Sequence, residues 1–354
     1  MSEDSPDSNE ATEASDSTAI ADAGFADGLR DAGADRTALV TGATGFLGSY
    51  LCPALVERGW TVHALRRPTS DVSALDDCPI EWFVGDVCDP STVATAVAGC
   101  DDLFHLAGVS LADADPETVR HVNVQGTRAA LDAAVAANVD RFLFTSTAGT
   151  RRTNNGVAAD ETDLAPPIGA YQTSKARAEG LVEGYAAAGG DAVVVHPTSI
   201  FGPGDERFTG RLCSMATDPK LAACPPGGAS IVSVDDVVDG VVAAIERGTS
   251  GESYLLGGQN LPYRDAVTLL AELADGHPPK IEVPAAAVRA AGPIAGVVGE
   301  RTGRRVFPFD SEMAKLVTSE LFYTSEKARR ELGYDPAPLC EHAPAALEWY
   351  LRTK

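Results

Sequence analysis

The chain has 354 residues, of which 44% are hydrophobic, so it is long enough to bury one large core or two smaller ones. Its formal net charge of −23 excludes nucleic acid and anionic membrane surfaces as partners, because both would be repelled by the whole acidic surface. The seven cysteines are scattered and never form a C-x-x-C pair, so we expect neither a disulfide framework nor a metal site. No segment has the length of a membrane span, and we expect none.

The acidic residues are spread along the whole chain, and only six of its 28 basic residues are lysine. Dense salt screens the self-repulsion of such a chain, so we interpret the composition as that of a halophilic, cytoplasmic protein. Thermal unfolding across a KCl series tests this hypothesis, which fails if stability does not rise with salt.

Strand-like and helix-like segments begin only after an acidic tail. Residues 1–35 contain almost no large apolar side chains, and we expect them to be disordered. The segments that follow are, in chain order, strand 38–41, helix 47–58, strands 61–65 and 81–84, helix 91–98, strand 102–106, helix 123–138, strand 141–145, helix 174–188 and strand 192–196. This alternation predicts an α/β fold, a Rossmann-type doubly wound parallel sheet that binds ligands at the carboxyl ends of its strands.

Longer connections rich in Pro and Gly follow residue 201. We expect residues 36–200 to form an NAD(P)-binding domain, with segments around 230–260 returning to it. Residues 201–354 would form mainly a smaller, C-terminal substrate-binding lobe. Within this part, residues 285–299 are apolar but include Pro293, which predicts a packing helix with a break.

A glycine-rich loop lies in "TALVTGATGFLGSYL", residues 37–51. Gly42, Gly45 and Gly48 follow a strand and precede a helix, which is the setting of a dinucleotide-binding loop. Gly42 would allow the tight turn, Gly45 the close approach of the backbone to a pyrophosphate, and Gly48 the contact between helix and strand.

The end of the second strand predicts which dinucleotide binds. NAD-binding folds usually place an acid there, on the ribose 2′-hydroxyl, about 20 residues beyond the first glycine. This chain has Arg66 and Arg67 instead, in "TVHALRRP". Two guanidinium groups and no carboxylate fit a 2′-phosphate, so the sequence favours NADP over NAD.

Three further residues predict the chemistry. Thr147 lies in "FTSTAGT", and Tyr171 and Lys175 lie in "AYQTSKA". Their spacing of four places the tyrosine and lysine on one face of a helix, and an ammonium near a phenol favours its phenolate form. Tyr171 would then exchange the proton, Lys175 would also bind the nicotinamide ribose, and Thr147 or Ser146 would orient a carbonyl.

The order of these motifs resembles that of the extended short-chain dehydrogenases/reductases. "TGATGFLG", "GDVCDP", "LFHLAG", "NVQGT", "FTSTAGT", "YQTSK", "HPTSIFGPGD" and "VSVDDVVDG" follow one another over residues 37–351. "LRRPTSDVSALDD", "SYLLGGQN" and "FYTSEKARRELGYDP" are most similar to the dihydroflavonol 4-reductase-like and 3β-hydroxysteroid dehydrogenase-like branch. The resemblance implies hydride exchange between nicotinamide C4 and a carbonyl or alcohol, with proton transfer at Tyr171.

The resemblance also implies site residues by position, and it favours Thr147 over Ser146. Asn123 would be a structural amide with a secondary role in a proton relay. The other cofactor contacts would be Thr44, Phe46 and Leu47 in the glycine loop, Asp86 and Val87 at the adenine, Leu106, Ala107 and Gly108 along the ribose side, and Pro197 and Ile200 near the nicotinamide amide.

We therefore expect an NADP(H)-dependent oxidoreductase that acts on a small-molecule ketone, aldehyde or alcohol, with a homodimer as a possible assembly. A nucleotide-sugar 4-epimerase with tightly bound NAD and a non-catalytic cofactor-sensing or assembly subunit are the alternatives. Ala148 and Gly149 replace the Asp-Glu pair of the family's dehydratases, which disfavours sugar dehydration. Arg207 and Arg211 would contact either an anionic substrate group or surface acids, and His105 would be a core histidine.

Overall fold

The computed structural model describes residues 36–110, 114–152, 157–221, 223–302 and 311–354, with the backbone alone for 299–302. The predicted tail at residues 1–35 lies outside them. The elements in chain order are β1 (Thr37–Thr41), α1 (Phe46–Glu57), β2 (Thr61–Arg66), β3 (Ile80–Val84), α2 (Pro90–Val97), β4 (Asp102–His105), α3 (Pro116–Arg120), α4 (Gly126–Ala137), β5 (Arg141–Thr145), α5 (Gly169–Ala187), β6 (Ala192–Pro197), β7 (Ser199–Phe201), α6 (Phe208–Thr217), β8 (Ala223–Cys224), β9 (Gly228–Ser233), α7 (Val234–Arg247), β10 (Ser253–Leu256), β11 (Gln259–Pro262), α8 (Tyr263–Leu273), β12 (Ile281–Glu282), α9 (Ala285–Thr302), α10 (Ser311–Leu316), β13 (Glu320–Leu321), α11 (Glu326–Leu332) and α12 (Leu339–Thr353).

A seven-stranded parallel sheet forms the centre of the molecule, in the order β3-β2-β1-β4-β5-β6-β10. This confirms the predicted doubly wound α/β fold. The direction of strand succession reverses between β1 and β4, and in such sheets the crevice outside the carboxyl ends at this point is where ligands bind.

The central strands are buried on both faces, which explains their nearly continuous apolar sequences. Alternate residues of β1 enter different cores: Val40 packs in the layer with α1, α7 and α11, whereas Leu39 packs in the layer with α2, α4 and α5. The sheet is thereby covered by helices on both sides.

A smaller mixed sheet lies in the second half of the chain. Its strand β9 pairs with β7, β11 and β13, and helices α6, α8 and α12 share its core. The chain returns to the large sheet at β10, which pairs with β6. Among the described residues, no helix is long and apolar enough to cross a membrane.

Three predicted helices differ from those observed. The helix predicted at 174–188 begins five residues earlier, as α5 at Gly169, so Tyr171 lies within it. The segment predicted as one helix over residues 123–138 begins earlier, with α3 and a π-helical turn at His121–Gln125, because Asp115 caps α3 and Pro116 occupies its first turn. The break predicted at Pro293 is wrong, since α9 continues through this proline. Helices tolerate the loss of one backbone hydrogen bond where packing compensates, and Val288 and Ala295 are both buried.

His105 joins the inner strands to the helical layer. Its Nδ1 lies 2.8 Å from Thr41 Oγ1, and its Nε2 lies 3.0 Å from Thr127 Oγ1. The Thr127 hydroxyl donates its hydrogen to the Asn123 carbonyl oxygen at 2.7 Å, so it can only accept from His105. We therefore assign the imidazole proton to Nε2, and Nδ1 accepts a hydrogen bond from the Thr41 hydroxyl. His105 is therefore a hydrogen-bonded core residue, and burial lowers its pKa to about 3.

This burial predicts a pH dependence of stability. Below about pH 6.5 the unfolded chain protonates His105 while the folded protein does not, so stability is present above that pH and is lost as the pH falls toward 3. Each such histidine contributes a slope of about 1.4 kcal/mol per pH unit. The slope of the unfolding free energy against pH between pH 6 and 5, measured by urea unfolding, reports the number of protons taken up on unfolding. His105→Asn should lower that number by about one. The control Phe142→Leu, a volume change beside the imidazole, should lower stability and keep the slope; an unchanged slope in His105→Asn would contradict the assignment.

Candidate active site

A cleft of about 300 Å³ opens at the carboxyl ends of the inner strands. It brings together most of the predicted site residues: Gly42, Gly45, Phe46, Leu47, Gly48, Leu106, Gly108, Thr147, Tyr171, Lys175, Pro197 and Ile200. Its other lining residues are Val109, Ser110, Thr145, Ser146, Thr198 and Arg207. A larger groove of about 460 Å³ lies outside α3 and α5, away from the strand ends and from the predicted chemistry.

The glycine loop has the backbone that a pyrophosphate requires. Gly42 has φ +77°, and a Cβ atom on it would lie 2.7 Å from the Ala107 amide nitrogen. A Cβ atom on Gly48 would collide with the Gly42 carbonyl oxygen. Helix α1 starts after Gly45 with no side-chain cap and no acidic residue in its first turn. Its first amides are thus available to an anion, so the loop fits a dinucleotide.

Arg66 lies at the end of β2, beside the glycine loop strand. Its guanidinium carbon lies 5.9 Å from the Trp82 ring centroid, and its Nε is buried without a hydrogen-bond partner among the described residues. A buried, unpartnered cationic donor at this position suits an anionic oxygen. Arg67 is exposed beside it.

The remaining predicted cofactor residues are not among those that line the cleft. Asp86 is exposed after β3, where its Oδ1 accepts from the Cys88 amide at 2.8 Å. Val87 packs close to Gly126. Thr44 is half-buried in the glycine loop, and the Ala107 amide donates to Thr41 Oγ1 at 3.3 Å.

Asn123 supports the cleft from behind. Its Oδ1 accepts from the Val109 amide at 2.8 Å, and its Nδ2 donates to the Val109 carbonyl at 2.9 Å and to Ser174 Oγ at 2.9 Å. A Cβ atom on Gly108 would lie 3.2 Å from Asn123 Oδ1 and 3.4 Å from Lys175 Nζ. The amide therefore fixes the loop after β4 close to Lys175.

Lys175 is buried at the floor of the cleft, one turn after Tyr171 on α5. Its Nζ donates to the Thr145 carbonyl at 2.8 Å and lies 4.7 Å from the Phe144 ring centroid. Burial lowers the pKa of this ammonium to about 8. Tyr171 lines the same cleft, so both members of the predicted pair address one space.

The two candidate hydroxyl groups after β5 have different surroundings. The Ser146 hydroxyl donates to the buried Glu179 carboxylate, which directs it away from a substrate. Thr147 Oγ1 accepts from the Gly149 amide at 3.2 Å and so retains its own hydrogen for donation. The geometry favours Thr147 as the group that orients a carbonyl.

The sequence analysis missed a buried group next to these residues. Glu179 forms an ion pair with Arg151 at 2.9 Å, and His196 Nδ1 lies 3.6 Å from Glu179 Oε1. The sequence contains one local indication of Glu179: it follows Lys175 by four residues and so lies on the same face of the helix. Arg151 and His196 come from other elements, which spacing alone does not bring together.

Comparisons with known proteins agree with this fold. The model of the NAD dependent epimerase/dehydratase family matches residues 38–257. The chain is 33% identical to sterol demethylase protein B of Methylococcus capsulatus, over 89% of this chain and 98% of that protein. It is 32% identical to a putative dihydroflavonol 4-reductase of Synechocystis sp., over 88% and 93% respectively. The crystal structure of gox2253 is 34% identical with a TM-score of 0.80, covering 90% of this chain and 99% of that one.

A Rossmann-type sheet with a glycine loop and a paired tyrosine and lysine at its switch point defines an NAD(P)-dependent oxidoreductase of the extended short-chain dehydrogenase/reductase type. The chain belongs to the NAD-dependent epimerase/dehydratase family. This confirms the resemblance drawn from its motifs.

The close approach at Gly42 predicts a specific loss of cofactor binding. Gly42→Ala should weaken binding of the reduced nicotinamide dinucleotide, NADH or NADPH, at least about tenfold, or about 1.4 kcal/mol, because the new Cβ displaces the loop from Ala107. Gly99→Ala is a matched control, since Gly99 has φ +78° and nothing within 4 Å of a Cβ. It should carry similar backbone strain yet leave affinity unchanged in a fluorescence titration. Equal affinity in both variants would contradict the role of the loop.

Proposed function

We propose that the protein is an NADP(H)-dependent reductase of an apolar ketone or aldehyde, or the dehydrogenase of the corresponding alcohol. The observation that carries this proposal is the convergence of Thr147, Tyr171 and Lys175 in one cleft with the glycine loop. Arg66 at the end of β2, whose Nε has no hydrogen-bond partner within the described part of the chain, supports NADP over NAD.

The chain's own residues supply proton transfer and orientation. The glycine loop and Lys175 would hold a nicotinamide dinucleotide, which would supply the hydride to the substrate carbon or accept it from there. Tyr171 donates its phenolic proton to the carbonyl oxygen, and the Thr147 hydroxyl donates a hydrogen bond to the same oxygen. The Lys175 ammonium stabilises the phenolate left behind, and a proton from solvent restores Tyr171. In the oxidising direction Tyr171 accepts the proton of the alcohol.

The names of relatives indicate the substrate class better than the walls of the cleft do. Phe46, Leu106, Pro197 and Ile200 would contact the cofactor, which leaves Val109 among the apolar lining residues for a substrate. The relatives are named for a sterol and a dihydroflavonol, which are both polycyclic. We infer a secondary alcohol or ketone on an apolar ring or chain.

Arg207 adds one polar group to this space. It lines the cleft and donates to Ser110 Oγ at 3.1 Å, whereas Arg211 does not line it. Arg207 is therefore the better placed of the two arginines to contact a polar substituent of the substrate.

Tyr171→Phe tests the chemistry. Loss of the proton donor should lower kcat about 10²- to 10⁴-fold, because general acid catalysis contributes that range, with NADPH affinity unchanged. Tyr185→Phe on the same helix, outside the cleft, is the matched control and should retain wild-type turnover on a panel of cyclic and aliphatic ketones. Turnover retained by Tyr171→Phe would refute the assignment.

Arg66→Ala tests the cofactor. Wild-type protein should bind NADPH at least about tenfold more tightly than NADH in a fluorescence titration, and the variant should lose that preference of about 1.4 kcal/mol. Arg58→Ala removes an exposed arginine paired with Asp239 and should leave the preference intact. Tighter binding of NADH, or NAD retained through purification, would instead favour the 4-epimerase.

A further inference from the structure

A buried charged cluster adjoins the cleft and takes no part in the proton transfer described above. We define the Glu179 cluster as Glu179 on α5, Ser146, Thr150 and Arg151 after β5, and His196 on β6. All five residues are buried. Burying a charged group is unfavourable in free energy unless the charge is paired or hydrogen-bonded. The contacts of Glu179 therefore show which residues it fixes in position.

The Glu179 carboxylate binds one short segment at three points. It accepts from Ser146 Oγ, from Thr150 Oγ1 at 2.9 Å and from Arg151 Nη1 at 2.9 Å. Thr147 lies within this segment. The carboxylate therefore determines where the carbonyl-orienting hydroxyl stands relative to α5.

His196 holds the same segment from the sheet. Its Nδ1 lies 3.3 Å from the Thr147 carbonyl oxygen and 3.6 Å from Glu179 Oε1. Both neighbours are acceptors, so we assign the imidazole proton to Nδ1. Burial lowers the pKa of His196 to about 4, which leaves it neutral at physiological pH.

Glu179 also acts on the buried ammonium. Tyr171, Lys175 and Glu179 recur every four residues and share one face of α5. Burial lowers the pKa of Lys175, and the negative charge of Glu179 opposes this by favouring the ammonium form. His105 on β4 and His196 on β6 also face Lys175 but are neutral above about pH 5, since their pKa values are about 3 and 4. Arg151 approaches from the segment after β5, where it pairs with Glu179.

We propose that Glu179 is a positioning residue of this active site, which fixes the segment that carries Thr147 and keeps Lys175 charged. The inference rests on the proposed function for the roles of Thr147 and Lys175. It separates two tasks of one carboxylate, a geometric one toward Thr147 and an electrostatic one toward Lys175.

The electrostatic task is tested without turnover. The full chain labelled with [6-¹³C]lysine contains only six lysines, so the Lys175 signal can be assigned with a Lys175→Arg variant and titrated by NMR. Glu179→Gln should lower the measured Lys175 pKa by about one pH unit. Glu179→Asp, which keeps the charge, should restore it. Asp191→Asn, which weakens the partly buried pair with Arg141 at the amino ends of β5 and β6, should not change it.

The geometric task is tested on the active enzyme. Glu179→Gln should lower kcat about 10- to 100-fold with little change in cofactor affinity, and the alkaline limb of its pH profile should move to lower pH. Asp191→Asn should lower stability while its profile stays in place. A merely structural Glu179 would behave like Asp191 in both measurements, and that result would overturn the proposal.

Two outcomes are kept apart by this design. If the wild type reduces no carbonyl substrate, the proposed function fails, yet the lysine titration still decides the electrostatic task. If Glu179→Gln does not fold, Glu179→Gln/Arg151→Gln replaces the ion pair by two neutral amides and should lower the Lys175 pKa as well. An unchanged Lys175 pKa in that double variant also overturns the proposal.

Discussion

A single ammonium group, that of Lys175, sets the conditions that the surrounding structure must satisfy. An isolated charge in the protein interior is strongly unfavourable, so the fold must surround it with acceptors and compensating charge. The Thr145 carbonyl at the end of β5, the Phe144 ring and the Glu179 carboxylate supply them from two elements. These contacts fix the distance between the end of β5 and the face of α5 that carries Lys175. Tyr171 lies one turn earlier on the same face, so it is placed in the cleft.

The sequence predicted the fold and the centre of the site because those features depend on local spacing. The glycine positions, the strand periodicity and the four-residue interval between Tyr171 and Lys175 are visible in any short window. The sequence analysis did not predict helix α3, which starts at Pro116. The capping residue Asp115 lies eight residues before the predicted start of the helix at 123, and its role as a cap was not recognised. The continuous helix at Pro293 was missed because tertiary packing overrides the proline's local preference.

The Glu179 cluster and the surroundings of Arg66 were beyond sequence reasoning for a different reason. Arg151 and His196 reach Glu179 from different elements, and Trp82 reaches Arg66 from the neighbouring strand. Spacing can locate an arginine at a strand end, but it does not reveal that none of the residues the structure describes accepts a hydrogen bond from its Nε. Such information exists only after the sheet has assembled.

The contact between Arg66 and Trp82 also bears on how cofactor preference could change during evolution or by engineering. The two residues lie on neighbouring strands, β2 and β3, so the guanidinium that would face a 2′-phosphate also covers an indole ring. Replacing Arg66 by an acid, as an NAD-preferring strand end requires, would leave that ring uncovered. A substitution at residue 66 therefore changes two things at once, the charge at the strand end and the environment of Trp82.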